Sequence, residues 1–291
     1  MTIVVAAQER RGFPAIDPEP AVRRLVDRLL ARGERVRVLA GPGRTEGWPA
    51  PVAVVPGDVN RPPEGVFAGA GRAFLSGLLP DRAAEVAHAA RRAGVRRVVL
   101  LSSGAAGIEL RHGREQWWFR LAEEAIEESG LEWTHLRPAG LMLDTLGWAP
   151  AIRAGEVLRE PFADIGYPLL HEDDLADVAA AALLDDGHHG RAYPLTGPEP
   201  VSPADQARLI GAAIGREVPF EELTPQQARD RWIALGRPAD EVDLELFVMS
   251  EYAGRSIPAD PTLEHVLGRP GRTYAQWAAE HAADFIPGGA S

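Results

Sequence analysis

Four side chains suited to acid–base and stacking chemistry crowd into one stretch, ELRHGREQWWFRLAEE, residues Glu109–Glu124. His112 is the side chain best matched to proton transfer near neutral pH, and a carboxylate such as Glu115 three residues on raises its pKa. Trp117 and Trp118 offer flat apolar faces for an aromatic or polyketide-like ligand. Upstream, the apolar run VVLL ends in Ser102-Ser103, whose hydroxyls suit a substrate carbonyl. Downstream, Arg137 in HLRP carries a planar fork that takes a carboxylate or enolate bidentately. His171 opens the acidic run HEDD, where Glu172, Asp173 and Asp174 suit the positive end of a helix dipole. Other chemistries are missing. There are no cysteines, which removes thiolate metal sites and cysteine nucleophiles, and no lysines, which removes Schiff-base and P-loop chemistry. His188 and His189 are adjacent on a Gly-flanked loop and cannot easily share one ion, and no HExxH or EF-hand pattern occurs. No metal is expected.

These residues need a scaffold, and the apolar periodicity supplies one. Thr2–Ala7, Val36–Ala40, Val52–Val55, Ala73–Leu75, Val98–Leu101 and Trp133–Leu136 read as short buried strands. Between them, Ala21–Arg32, Arg82–Ala93 and Glu115–Ser129 repeat apolar residues at helical spacing. Asp17-Pro18 is a start signal for the first helix and Gly33 its stop. Alternation of this kind implies a parallel sheet with right-handed crossovers. The second half reads as helices Asp173–Leu184, Ser202–Ile214 (capped by Ser202), Thr224–Leu235, Glu241–Ala253 and Thr273–Phe285, with one strand at Ala192–Leu195. The fold class is therefore α/β: a doubly wound, Rossmann-type parallel sheet over residues 1–150. A smaller, mostly helical lobe over 151–291 is intertwined with it. A cleft at the carboxyl ends of the strands is the default ligand site.

Composition narrows the partner. Thirty-one Arg and no Lys against 42 acidic residues give a net charge of −11, which disfavours nucleic acid. No apolar stretch reaches the roughly 20 residues of a membrane span, and the start of the chain lacks a secretory pattern. A cytoplasmic protein acting on a small molecule is expected, with pairing into a homodimer through an edge helix.

Six stretches then resemble one family in its own order: VVPGDVN (Val54–Asn60), AARRAGVRRVVLLSS (Ala89–Ser103), RLAEEAIEESGLEWTHLRPAGLM (Arg120–Met142), HEDDLADVAAAAL (His171–Leu183), GRAYPLTGPEPVS (Gly190–Ser202) and TYAQWAAEHAADF (Thr273–Phe285). Together they resemble the NmrA-like branch of the atypical short-chain dehydrogenase/reductases, over nearly the whole chain. The resemblance implies a Rossmann-type fold, usually with NAD(P), and activities from quinone or azo reduction to redox sensing. It also places Ser102 and Ser103 at the cleft floor and the His112–Trp118 segment at the opening of the helix lining the active site. Arg137, Met142 and Asp144 border the substrate region, and His171 faces the cleft with Tyr167 near it. Arg44 falls where relatives select an NADP 2′-phosphate, and Asp58 borders the adenine.

Two departures stand out. In place of the family's glycine-rich turn, the first strand runs into QERRGFPAIDP, residues 8–18, where only Gly12 remains. Pro14 and Pro18 remove amide donors, and an Asp17 cap occupies the site where a pyrophosphate sits. Glu9 adds repulsion that Arg10 and Arg11 offset. In place of the usual YxxxK pair, the alignment puts Glu115 and Phe119. The expectation is thus no cofactor. The function expected is redox-neutral acid–base catalysis (cyclisation, isomerisation or dehydration) on an apolar or aromatic molecule, in natural-product biosynthesis. His112, Glu115, Ser103 and His171 are its catalytic candidates. Trp117, Trp118, Arg137, Met142, Asp144 and Tyr167 are its substrate contacts. The alternative is an NAD(P)H-dependent reductase of a carbonyl or quinone, with Arg10, Arg11, Gly12, Arg44, Asp58 and Ser102 on the cofactor. A non-catalytic dinucleotide sensor is the second alternative.

Overall fold

The structure is a computed structural model and describes residues 2–8, 19–107, 118–252 and 255–288; of Trp118 it describes the backbone. Seven strands form one parallel sheet in the order β3-β2-β1-β4-β5-β6-β8. They are β1 (Thr2–Ala7), β2 (Arg35–Ala40), β3 (Ala53–Pro56), β4 (Ala70–Leu75), β5 (Arg97–Leu101), β6 (Glu132–Pro138) and β8 (Arg191–Leu195). Strand order reverses between β1 and β4, the topological switch point where such sheets bind ligands.

Alternation along β1 explains the layers. Ile3, Val5 and Ala7 face one side, packing with Val22, Leu25 and Leu29 of α1 (Glu19–Ala31) and with Val178, Ala182 and Leu183 of α5 (Glu172–Leu184). Val4 and Ala6 face the other side, with Val86 and Ala90 of α2 (Pro80–Arg92) and Ile126 of α3 (Trp118–Glu127). A strand buried on both faces reads as the continuous apolar run seen in the sequence.

The C-terminal half adds α4 (Ala149–Ala154), β7 (Leu158–Pro161), α6 (Pro203–Ile214), β9 (Phe220–Leu223), α7 (Pro225–Ala234), α8 (Ala239–Ser250), α9 (Thr262–Leu267) and α10 (Tyr274–Glu280). Ser202 caps α6 as expected, its side chain accepting from Asp205 N. The parallel pair β7–β9 is absent from the sequence reading. Both are four-residue strands containing charged residues, LREP and FEEL, and give no clean alternation. The helix expected over Thr273–Phe285 divides instead. α10 stops at Glu280, and the 3₁₀ turn Ala282–Phe285 follows. Among the described residues no helix is long and apolar enough to cross a membrane.

A buried ionic web ties the C-terminal segment to the sheet layers. Asp174 is fully buried and accepts from Arg269 Nη2 at 2.8 Å, from Arg272 N at 2.7 Å and from the Arg272 guanidinium. Beside it, His281 lies between Glu172 Oε1 and Asp284 Oδ2, each at 2.9 Å, and stacks on Trp277 with ring centroids 4.7 Å apart. Burial works to lower the His281 pKa, but the two carboxylates outweigh it and raise it. Burial works to raise that of Glu172, and the His281 hydrogen bond together with the neighbouring histidines and a backbone contact outweighs it, so Glu172 falls below its ordinary value. The signs define a window. The His281 contribution is complete below its unfolded pKa and fades as pH rises through the raised folded value. The Glu172 contribution fades as pH falls through its depressed one. The stability lost in His281→Gln should therefore be greatest in mildly acidic buffer and shrink on alkalinisation, as read from urea midpoints across a pH series. A deficit constant with pH would contradict the charged-pair assignment.

Candidate active-site cleft

The carboxyl end of β1 leads to Gln8, which stitches neighbouring turns together. Its Nε2 donates to Gly57 O at 3.1 Å and its Oε1 accepts from Val59 N at 2.7 Å. Its backbone N donates to Ser76 Oγ at 3.2 Å, and the Ser76 hydroxyl donates to Ala6 O at 2.7 Å. Asn60 closes the far side: Nδ2 donates to Gly77 O at 3.0 Å and Oδ1 accepts from Leu79 N at 2.7 Å. These contacts hold open a cavity of about 590 Å³ at the switch point, lined by Gln8, Gly41, Arg44, Thr45, Asp58 and Leu79 among others. That size lies within the range of small-molecule sites. Arg44 brings a guanidinium to the wall, paired with Glu19 of the first turn of α1, and Arg23 shares that carboxylate at 2.6 Å. Asp58 accepts from Asn60 N at 2.8 Å, ordering the GDVN turn. Gln8 and Asn60 were not singled out from sequence, because their roles depend on turns 49 and 19 residues away.

At the end of β5, Ser102 and Ser103 are both nearly fully buried. Ser103 Oγ accepts from Ala105 N at 3.2 Å, a turn contact. The Ser102 hydroxyl helps stabilise the carboxylate of Glu123, which is 0% exposed. Arg137 meets that carboxylate with both arms, Nε to Oε1 at 2.9 Å and Nη2 to Oε2 at 2.6 Å. Burial alone would raise the Glu123 pKa; the Arg137 and Ser102 hydrogen bonds outweigh it and hold it below the usual carboxylate range. Arg137 is thus committed to an internal ion pair rather than to a ligand.

A second cavity, of about 240 Å³, opens beyond β6. The turns Met142–Trp148 follow that strand and supply Asp144, Thr145 and Trp148; β7 supplies Glu160, and α7 and α8 supply Trp232, Glu245 and Met249. Tyr167 and Leu169 complete the wall from a segment pinned on both sides. Tyr167 exchanges backbone hydrogen bonds with Val201 at 3.2 and 2.9 Å, and Leu170 N donates to Gly140 O at 2.9 Å. A Cβ at Gly197 would lie 2.1 Å from Leu169 O, so only glycine lets these segments approach.

Of the residues singled out from sequence, Tyr167 and Asp144 come together at this second cavity, and Arg44 and Asp58 at the first. Asp144 also accepts from Leu141 N at 3.1 Å. Met142 packs in the C-terminal core, 2% exposed, and is not among the residues lining this second cavity. His171 is fully buried as the N-cap of α5, Nδ1 accepting from Asp173 N at 3.1 Å and Nε2 lying 3.3 Å from Glu280, so it is not on an open cleft wall. His112, Glu115, Trp117, Arg10, Arg11 and Gly12 lie outside the described residues, as does the Trp118 side chain. Among the described residues two groupings have ligand-like spacing, Glu123/Glu127/His135 and His171/Asp173/Glu280. Arginine already compensates carboxylates in both: Arg120 and Arg137 in the first, Arg24 and Arg28 in the second.

Residues 22–186 match a family model described as NAD(P)H-binding. The chain belongs to this NAD(P)H-binding family, with the NmrA-like, atypical short-chain dehydrogenase/reductase fold that the sequence motifs indicated. It is 37% identical over 211 residues to (4-alkanoyl-5-oxo-2,5-dihydrofuran-3-yl)methyl phosphate reductase of Streptomyces griseus subsp. griseus, covering 69% of this chain and 72% of that one. It is 33% identical over 217 residues to NAD(P)H azoreductase of Xenophilus azovorans, covering 72% and 74%. An Escherichia coli NADPH-dependent quinone oxidoreductase complexed with NADPH shares the fold, with a TM-score of 0.73, 19% identity and coverage of 96% and 99%. These findings support the reductase alternative with NAD(P)H better than a lost cofactor with cyclisation, isomerisation or dehydration. The named relatives are reductases, and the family is defined by NAD(P)H binding. The QERRGFPAIDP loop that prompted the other reading lies almost wholly outside the described residues.

Proposed function

We propose that this protein is an NAD(P)H-dependent reductase of a small organic molecule. The observation that carries the reading is the 590 Å³ cavity at the switch point with Arg44 on its wall. Its residues fit a dinucleotide's adenosine end. Pro42, Pro56 and Leu79 offer apolar faces, Thr45 and Asn60 polar ones, and Arg44 a cation where a 2′-phosphate would sit. Gln8 and Asn60 keep the turns around that space fixed, so binding spends little free energy on ordering them. When bound, the reduced nicotinamide supplies a hydride. The polar groups that β5 presents, Ser102 and Ser103, are tied into turns and the Glu123 pair. The chain's contribution there is therefore a rigid, dry floor. The smaller cavity beyond β6, walled by Trp148, Tyr167 and Trp232, is the place for the substrate.

The relatives named as reductases of an azo compound and of an alkanoyl-furanone phosphate point to conjugated, electron-poor acceptors. The test is to incubate the protein with 4-deuterated NADPH and a panel of a quinone, an azo dye and an unsaturated lactone. Nucleotide oxidation matched by one reduced product is expected, with deuterium retained on carbon where the lactone is reduced; deuterium delivered to an azo nitrogen or a quinone oxygen exchanges with water. Conversion of a substrate with no change in nucleotide, and no need for it, would return the case to redox-neutral chemistry.

A further inference from the structure

The cavity beyond β6 is built for a particular kind of ligand. Its apolar wall is Trp148, Trp232, Leu169 and Met249, and its polar groups are unusual. The Tyr167 hydroxyl is buried and, among the described residues, has no hydrogen-bond partner, a costly state for a phenol. Glu160 receives one hydrogen bond among the described residues, from Trp148 Nε1 to Oε1 at 3.1 Å, which fixes its carboxyl plane. Just after β7, Phe162 holds φ at 55°, a strained conformation for a bulky side chain. Strain of this kind persists where the surroundings over-determine it, often beside binding sites.

The charges around Glu160 come from several elements. Arg231 of α7 and Arg237 between α7 and α8 are positive; Glu245 of α8 is negative and is itself bound by Arg237. Asp144 also lines the cavity, and Tyr252 is close enough to Tyr167 to act on it electrostatically. Burial is the leading effect and pushes the Glu160 carboxyl up to about 7; it also raises Glu245 and, at Tyr167, keeps the phenol protonated. The lining therefore presents hydrogen-bond donors and, among the described residues, no basic side chain.

We propose that this pocket binds an uncharged carbonyl compound bearing one apolar or aromatic ring, with the Tyr167 hydroxyl and the Glu160 carboxyl donating to its oxygen. A lining with three carboxyl groups, Asp144, Glu160 and Glu245, and no basic side chain among the described residues disfavours an anion. A volume of about 240 Å³, that of about eight liquid waters, fits a single ring and its carbonyl. That this compound is the substrate rests on the reductase reading; the recognition itself does not.

The test uses acetophenone and benzoate, matched in size and differing in charge, titrated into the nucleotide-free protein by ligand-observed NMR. Acetophenone should bind near pH 6 and benzoate should not. Acetophenone affinity should fall about tenfold by about pH 8.5, as Glu160 ionises and its donor hydrogen bond is replaced by repulsion. Tyr167→Phe should weaken binding about two- to tenfold at either pH, the worth of one neutral hydrogen bond. Glu160→Gln keeps a donor and removes the titration, so its binding should be flat with pH. Benzoate binding as well as acetophenone would overturn the proposal. So would acetophenone binding indifferent both to pH and to Tyr167→Phe. An NADPH titration on the same samples reports separately on the reductase reading.

Discussion

Replacing Arg137 with alanine is expected to destabilise the protein by about 3 kcal/mol, the low end of the range for stripping the partner from a buried charge. The reasoning starts from Glu123. Its carboxylate is 0% exposed and cannot be rehydrated without opening α3 from the sheet. Arg137 supplies two of its hydrogen bonds, at 2.9 and 2.6 Å. The loss stays at the low end because Arg120 Nη1 remains 3.3 Å from Oε2. The sign with pH follows from the depressed Glu123 pKa. The pair's contribution is present above the ordinary carboxylate value and is lost as pH falls through the lower folded one, so the gap between wild type and Arg137→Ala should close in acid. Adding Glu123→Leu to an Arg137→Met background should recover most of the loss, since an apolar pair of similar volume often replaces a buried ion pair at little cost. Urea unfolding of the three variants measures this. A normal urea midpoint with a raised KM in Arg137→Ala would instead make Arg137 a substrate ligand, as the family resemblance implied.

Arg44→Ala is expected to weaken NADPH binding by about ten- to a hundredfold while leaving NADH nearly unchanged, the worth of one charge-assisted contact to phosphate. The guanidinium is already held at the cavity wall by Glu19, so it is positioned before any ligand arrives. Equal losses for both nucleotides would place Arg44 in the architecture of the cavity rather than at the 2′-phosphate. Retained discrimination in the variant would remove it from the cofactor altogether.

The sheet was legible because its strands carry their own signal. TIVVAA, RVVLL and the helices between them are apolar at the right periods, and Gly33, Ser202 and Thr273 mark ends by local chemistry. The cleft was legible only in outline. His171 and Arg137 have the residue types of catalysis, but whether a histidine or arginine meets a substrate or a buried carboxylate depends on partners far along the chain, Glu280 and Glu123. Glu160 was missed for the converse reason. In LREP it reads as one more surface charge, and only the packing of α7 and α8 over β7, elements some 70 residues later, makes it a half-buried acid beside two tryptophans. The preference for a lost cofactor came from a missing glycine pattern. A pattern of glycines reports how closely a backbone approaches a pyrophosphate; it says little about the rest of the switch-point cavity, where Gln8, Asn60 and Arg44 shape the space.

The central claim is that the switch-point cavity holds a nicotinamide dinucleotide. Calorimetric titration of the purified protein with NADPH and, separately, NADH tests it most directly. Saturable binding at micromolar strength, weakened for NADPH by Arg44→Ala, is the predicted result. No heat and no thermal stabilisation at millimolar nucleotide would contradict it.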